Sequence, residues 1–306
     1  MHPSSSNLPA STVATRCGLC AATVLLSGCS LGGVLDPKGP IGAANLTILV
    51  DSLAIMLAIV IPTIIATFAF AWWYRASNTR ARYLPDWEFS GSIELVVWAI
   101  PLMTILLLGG VAWISSHDLD PAKPIEGKGA ALDVQVVSLD WKWLFIYPEQ
   151  RVASVNELVV PAGRPLHFSL TSSSVMSAFF VPQLGSMIYT MNGMATQLYL
   201  HADEPGTFHG LSAHYNGEGF SDMHFDVKAV TPEQFAAWVN KARETGPKLD
   251  GDRYTALAKQ SIKDPVSVYG LVDIDLFNRV VSRDLAPGPG PDTEDKGAHQ
   301  APEKGH

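Results

Sequence analysis

The side chains able to bind a metal or carry an electron are unevenly distributed along the 306-residue chain. Its three cysteines, Cys17, Cys20 and Cys29, all lie near the start, so the rest of the chain offers no thiolate ligand and no disulfide. Four histidines lie within 24 residues of one another, beside Met223: His201, His209, His214 and His224. Three histidines with a methionine or a carboxylate suffice for a mononuclear copper or zinc site. Because only residues of equal parity share one face of a strand, this irregular spacing favours loop or surface histidines over a metal site.

The cysteines lie in a segment with the features of a targeting signal. Arg16 precedes an apolar run that ends in Leu26-Ser27-Gly28-Cys29. An apolar core that ends in small residues is typical of a secretory signal, which we predict over residues 1–28. The ending resembles the lipobox of bacterial lipoproteins. That resemblance implies cleavage before Cys29, a diacylglyceryl thioether on its sulfur and usually an N-acyl group such as palmitate. The alternative is an ordinary signal peptide with a fortuitous cysteine.

Two uncharged segments are long enough to cross a bilayer. Residues 52–74 provide 23 such residues and residues 95–116 provide 22. At about 1.5 Å per residue, each segment exceeds the ~30 Å thickness of the hydrocarbon core. We therefore predict transmembrane helices over residues 45–74 and 93–116, joined by a loop over residues 75–92.

The distribution of charge predicts the orientation of this helical hairpin. The loop carries three basic residues, all arginines, whereas residues 29–44 carry only one basic residue, Lys38. The arginines are Arg75, Arg80 and Arg82. The positive-inside rule places the loop in the cytoplasm and both termini in the periplasm of a bacterial inner membrane, and lipidation at Cys29 would require the same orientation. Asp51 and Glu94 flank the spans on opposite sides. Each is either an ordinary interfacial carboxylate or the mouth of a proton path.

Beyond residue 117 the pattern changes to short alternating segments. Apolar and polar residues alternate around residues 132–136, 166–170, 198–200 and 225–227, with turn residues between them. Short strands at this spacing predict an all-β sandwich or barrel over residues 117–230. Thr231-Pro232-Glu233-Gln234 has the form of a capping box, so we predict a helical appendix over residues 231–283. Residues 284–306 are rich in Pro, Gly and mixed charges, which predicts a disordered tail.

Composition excludes one class of partner. The chain has 21 Lys plus Arg against 29 Asp plus Glu, a net charge of −8. Nucleic-acid binding requires a basic surface, so no nucleic-acid partner is expected. The 47% of hydrophobic residues and 16% of charged residues also exclude a disordered chain.

Three motifs carry a family resemblance. They are Asp140-Trp-Lys-Trp143, the segment from Val175 to Pro182, and the segment from Gly210 to Gly217. With two membrane helices before a β-domain, they resemble subunit II of the haem-copper respiratory oxidases over roughly residues 40–282. The resemblance implies a cupredoxin-like, Greek-key periplasmic domain. By the same resemblance, Glu94 matches the cytoplasmic mouth of the K proton channel, and Trp141 matches an aromatic residue that receives electrons from cytochrome c.

The family's two branches differ in a dinuclear copper centre. In the branch that oxidises cytochrome c, two thiolates, two imidazoles, a thioether and a carbonyl bind the copper pair. By resemblance, these six positions fall in this chain on Ser177, Ser212, His214, Asn216, Phe220 and Met223. The histidines are replaced by Ser177 and Phe220, and the cysteines by Ser212 and Asn216, so that only Met223 keeps its donor. The copper centre is therefore expected to be absent, which leaves Trp141 a packing role.

Loss of the copper ligands is typical of the quinol-oxidising branch. The resemblance implies a proton-pumping terminal oxidase that transfers electrons from ubiquinol to oxygen. This chain would be its cofactor-free, non-catalytic subunit II, with haems and copper in subunit I and with subunits III and IV as further partners. Glu94 would then serve proton uptake. Two alternatives stay open at this point: a copper-containing cytochrome c oxidase subunit II, and a membrane lipoprotein with a non-catalytic binding β-domain.

Overall fold

The computed structural model describes residues 33–82, 84–125, 127 and 129–290. The predicted signal over residues 1–28, the lipidation site Cys29 and residues 291–306 of the predicted tail lie outside the described residues.

Two long apolar helices precede the β-domain. Helix α1 spans Pro40–Trp73 and helix α2 spans Gly91–Asp118, and both are long and apolar enough to cross a membrane. Their interior prolines, Pro62 and Pro101, are of the kind that membrane helices tolerate. Most of their large apolar side chains are exposed in the isolated chain, which fits helices surrounded by lipid.

Helix α1 begins five residues before the predicted span, at a proline in its first turn. The reason is a set of backbone hydrogen bonds between this end of the chain and the β-domain. The Lys38 amide donates to the Gln183 carbonyl at 2.7 Å, the Gly42 amide donates to the Leu184 carbonyl at 3.2 Å, and the Asp203 amide donates to the Lys38 carbonyl at 3.0 Å. The N-terminal end of α1 is therefore attached to the β-domain.

The β-domain is a sandwich of two sheets. In chain order its strands are β1 Leu132–Leu139, β2 Lys142–Tyr147, β3 Val152–Val155, β4 Glu157–Pro161, β5 Pro165–Ser172, β6 Ser177–Phe180, β7 Ile188–Thr190, β8 Thr196–His201, β9 Gly206–Ser212 and β10 His224–Val230, followed by the short β11 Lys248–Leu249, β12 Ser267–Tyr269 and β13 Leu271–Val272. One sheet has the order β12-β3-β2-β1-β5-β8 and the other β4-β10-β9-β6-β7. Strands β11 and β13 form a separate pair. Within the two sheets, β1 pairs with β5 and β4 with β10 in parallel while the other pairs are antiparallel, and this arrangement confirms the predicted all-β sandwich.

The core between the sheets follows the alternation seen in the sequence. The apolar members of β1, β5, β8 and β10 are almost completely buried, because alternate side chains of a strand point to the same face. Aromatic rings fill the centre: those of Phe179 and Phe225 stack at 5.1 Å, and that of Trp143 lies edge-on to Phe179 at 5.4 Å.

The C-terminal appendix packs on the sandwich. Helices α3 Pro232–Thr245, α4 Gly251–Leu257 and α5 Leu276–Val281 follow β10, and the capping box at Thr231 and Gln234 is present at the start of α3. The buried Lys142 side chain extends into this appendix. Its Nζ lies 2.9 Å from Asp264 Oδ2, donates to the Lys259 carbonyl at 2.9 Å and also bonds the Ser261 hydroxyl.

Residues 284–290 differ from the prediction of a disordered tail. The Gly288 amide donates to the Ser173 carbonyl at 3.0 Å, and the Gly290 amide donates to Asp140 Oδ2 at 3.0 Å. These bonds place the Pro-Gly segment against the β-domain, since a glycine backbone can approach buried acceptors closely.

Candidate functional site

The positions that match the family's copper ligands lie at the start of β6, at the end of β9 and in the segment that joins β9 to β10. Ser177 begins β6 and Ser212 ends β9, and these two strands are hydrogen-bonded neighbours. A loop carrying His214 and Asn216 then leads to a short 3-10 helix, Phe220–Asp222, and Met223 follows immediately before β10. Strand pairing therefore brings residues 46 positions apart in the sequence to a single site.

Asn216 lies at the centre of this site. Its side-chain Nδ2 donates to Ser177 Oγ at 2.8 Å and to Met223 Sδ at 3.0 Å. All three residues are buried, with relative exposures of 6%, 1% and 1% for Asn216, Ser177 and Met223. The two amide hydrogens thus meet two acceptors, so a hydrogen-bonded cluster joins three of the six matched positions.

The other matched positions surround this cluster. The Ser212 amide donates to the Met223 carbonyl at 3.0 Å, and the Ser212 hydroxyl donates to the His214 carbonyl at 3.2 Å. The His214 ring is partly exposed and edge-on to Tyr189 at 5.7 Å. The Phe220 ring packs against Tyr215 at 5.6 Å. His214 and Phe220 therefore make aromatic contacts at the rim of the site.

Trp141 closes the same site from the turn between β1 and β2. Its backbone has a φ of 65°, and its side chain is 6% exposed. Its indole Nε1 donates to the Asn216 carbonyl at 3.3 Å, and its ring packs so closely on Gly219 that a Cβ there would clash with it. This geometry supports a packing role for Trp141, because its polar and apolar atoms are both used to hold the loop.

The residues present do not fit the dinuclear copper centre that the fold family implies. Such a centre requires soft sulfur ligands and imidazoles, whereas the buried side-chain groups here are two hydroxyls, an amide and one thioether. The Asn216 Oδ1 atom is buried and accepts no hydrogen bond within the described part of the chain. One amide oxygen beside one thioether does not make a copper-binding set.

The fold brings two of the four histidines of the β-domain together, His209 and His224, and gives His201 and His214 other neighbours. His201 Nδ1 lies 2.8 Å from Asp203 Oδ1, while His209 lies 3.7 Å from Asp226 and its ring is 5.4 Å from that of His224. Within the described residues, no group of three or more His, Cys, Asp or Glu side chains has a metal-binding arrangement.

Glu94 and Asp51 lie towards opposite ends of the helical hairpin. Glu94 is in the first turn of α2, exposed, and accepts a hydrogen bond from Trp98 Nε1 at 3.0 Å. Asp51 lines a groove between the helices beside Ser115, which is 21 residues after Glu94, or about 30 Å along the helix. The two carboxylates therefore cannot act on the same group.

Three features of the site were not predicted from the sequence. The central position of Asn216, the buried Lys142 and the bond between Tyr147 and the opposite sheet all depend on long-range contacts. Tyr147 Oη donates to the Val159 carbonyl and accepts from the Val159 amide, both at 2.9 Å. A local signal of such contacts is present at Asp140-Trp-Lys-Trp143. There two charged residues alternate with two aromatic ones, which indicates that charged groups are buried with partners.

Comparison with known proteins gives a consistent set of relatives. Residues 133–230 match the family model described as cytochrome c oxidase subunit II, periplasmic domain, and residues 243–287 match the COX aromatic rich motif. Ubiquinol oxidase subunit 2 of Acetobacter aceti is 48% identical over 270 residues, covering 88% of this chain and 87% of that protein. Cytochrome bo(3) ubiquinol oxidase subunit 2 of Pseudomonas aeruginosa is 45% identical over 263 residues, covering 86% of this chain and 79% of that protein. The solved periplasmic domain of cytochrome oxidase subunit II of Bradyrhizobium japonicum aligns with 40% of this chain and 98% of its own, with 23% identity and a TM-score of 0.37.

Proposed function

The chain belongs to the subunit II family of the haem-copper respiratory oxidases, as a quinol oxidase subunit II, and from that premise we propose that it is the cofactor-free, non-catalytic subunit of a ubiquinol oxidase. The relatives are named as subunits of ubiquinol oxidases, which are oxidoreductase complexes. Ubiquinol would deliver its electrons to the haem and copper groups of subunit I, within the membrane. The present chain would then support subunit I.

One observation supports this proposal above the others. The buried hydrogen bonds from Asn216 to Ser177 and Met223 occupy the place where the copper-bearing branch needs thiolates and imidazoles. A lipid-soluble quinol needs no copper relay from a water-soluble cytochrome, so the loop is free to be stabilised by hydrogen bonds. The copper-bearing alternative is not favoured by this donor set.

Glu94 is the residue of this chain that we assign to proton uptake. Its carboxylate is exposed in the first turn of α2, next to the arginine-bearing loop, which the positive-inside rule places in the cytoplasm. Its hydrogen bond from Trp98 Nε1 fixes the orientation of the side chain. A carboxylate in that position can collect protons at the surface of subunit I.

The remaining assignments concern location and partners. We propose that the two helices pack on subunit I in the bacterial inner membrane, that subunits III and IV complete the complex, and that the β-domain covers it from the periplasm. Cys29 would add a lipid anchor on the same side. The apolar surfaces of α1 and α2 support a position within the membrane.

Copper binding by the full-length chain tests the proposal. The chain, purified in detergent, is exposed to copper under reducing conditions and then freed of excess metal. Since hydroxyl and amide donors bind copper poorly, we expect less than about 0.1 copper per chain and no purple absorption. Two coppers per chain with a purple colour would contradict the proposal and restore the copper-containing alternative.

A further inference from the structure

A cavity of about 840 Å³ lies where the two membrane helices approach the connecting loop. The end of α1 contributes Phe70 and Tyr74, the start of α2 contributes Ile93, and the loop supplies the rest of the lining. The loop residues are Arg75, Ala76, Asn78, Ala81, Arg82, Leu84 and Trp87. The volume of the cavity lies within the ~300–1,000 Å³ typical of small-molecule sites.

The lining has a cationic part and an apolar part. Arg75 is fixed in place, because its Nη1 donates to the Trp72 carbonyl at 3.0 Å and its guanidinium lies 5.0 Å from the centre of the Trp72 ring. Within the described residues, neither Arg75 nor Arg82 forms an ion pair with a carboxylate. Phe70 and Ile93 provide the apolar wall on the side of the helices.

The depth of the cavity matches the boundary between lipid headgroups and acyl chains. Trp72 and Trp73 end α1 and Tyr74 follows them, and such aromatic residues mark the membrane interface. The arginines therefore lie at the level of lipid phosphates, and Phe70 lies one turn of helix deeper. Basic pockets between membrane helices bind acidic lipid headgroups in this way.

We propose that this cavity binds an anionic phospholipid, with the phosphate against Arg75 and Arg82 and an acyl chain along Phe70 and Ile93. The inference rests on the position of α1 and α2 in the membrane and is independent of the substrate of the oxidase. Guanidinium groups bind phosphate oxygens through paired hydrogen bonds, which gives this pair of arginines a specific ligand. The bound lipid would fix the loop that leads to Glu94.

Lipid titration of the delipidated complex tests this site. The purified oxidase complex is titrated with phosphatidylglycerol or with phosphatidylcholine, and bound lipid is counted by native mass spectrometry. At about 1 kcal/mol per arginine, Arg82→Gln should weaken the tightest phosphatidylglycerol site about five-fold, and the double variant with Arg75→Gln should weaken it further. Phosphatidylcholine should bind this site more weakly than phosphatidylglycerol does.

Arg80→Gln is the matched control, since Arg80 is in the same loop but does not line the cavity. We expect this control to keep the wild-type affinity. An equal loss in Arg80→Gln would show a general surface-charge effect and would overturn the proposal. Equal affinity of the site for phosphatidylcholine and phosphatidylglycerol would also overturn the proposal. A wild-type complex that takes up no lipid at this site, because a segment of a partner subunit fills it, would overturn it as well. The ratio of haem to protein in each purified complex checks that the variants assemble.

Discussion

At the residue scale, the vacated ligand positions are stabilised mainly by one amide group. Asn216 donates from a single nitrogen to a hydroxyl and to a thioether, and its backbone carbonyl accepts from Trp141. A side chain that donates twice can join Ser177 and Met223 without a metal ion. The loop therefore has its own source of stability.

We expect Asn216→Ala to reduce the free energy of unfolding of the β-domain by about 1–3 kcal/mol, because it removes buried hydrogen bonds. Urea unfolding of the full-length chain in detergent, followed by tryptophan fluorescence, measures the change. Glu218→Ala is the control, as Glu218 is exposed in the same loop. Equal effects of the two substitutions would show that the amide has no special role.

We expect Glu94→Gln to slow turnover of the assembled oxidase several-fold, because the amide oxygen can still accept the Trp98 hydrogen bond but the amide cannot take up and release a proton. Oxygen uptake driven by quinol, measured across a range of pH, gives the result. Glu88→Gln serves as the control, since Glu88 is an exposed acid of the loop outside α2. Unchanged turnover and an unchanged pH profile in Glu94→Gln would remove the assigned role.

At the scale of elements, the two sheets are joined by a hydrogen bond that the strand pattern does not reveal. Tyr147 in β2 bonds both backbone groups of Val159 in β4.

Tyr147→Phe leaves these groups unpaired, so we expect a loss of about 1–3 kcal/mol in the free energy of unfolding. Tyr215→Phe, at an exposed tyrosine, should have no such effect on urea unfolding. Similar losses in both variants would contradict the role given to Tyr147.

Tyr147 also predicts an alkaline limit to stability. Burial raises the pKa of its hydroxyl above the ordinary value of 10.0. A group with a raised pKa in the folded state contributes stability below its unfolded pKa and loses it at higher pH. The free energy of unfolding should therefore fall above pH 10, and it should fall less steeply in Tyr147→Phe. Parallel curves for the two proteins would exclude Tyr147 as the cause.

The appendix is attached to the sandwich by the buried Lys142. Removing one member of a buried ion pair costs about 3–5 kcal/mol, and we expect Lys142→Met to fall near the lower end because Asp264 keeps some solvent contact. Limited proteolysis should then cut residues 259–264 faster than in the wild type. The Lys259→Met variant, which changes an exposed side chain of the same segment, should be cut at the wild-type rate. Unaltered proteolysis of Lys142→Met would contradict this attachment.

Local pattern predicts these elements better than it predicts their contacts. The alternation around residues 132–136 and 166–170 identifies β1 and β5, and the capping box at Thr231 identifies the start of α3, because both depend on residues close in the sequence. The turn signal at Asn216-Gly217 gives no hint that the Asn216 side chain points inward. Its partner Ser177 is 39 residues away, and only the pairing of β6 with β9 brings them together.

At the scale of the whole molecule, the chain combines an apolar helical hairpin with a β-domain attached to the N-terminal end of α1. The bonds of Lys38 and Gly42 to the β-domain fix α1 to the sandwich. The hairpin needs lipid and partner subunits to cover its apolar surface, whereas the β-domain buries its own core. This division suits a membrane-bound subunit of a multi-subunit oxidase.

Oxygen uptake by the purified complex, driven in turn by a reduced ubiquinone analogue and by reduced cytochrome c, tests the central claim most directly. Because this chain lacks the ligands of a copper relay, we predict rapid uptake with the quinol and none with cytochrome c above the rate without enzyme. Uptake driven by cytochrome c at a rate comparable to that with quinol would contradict the account.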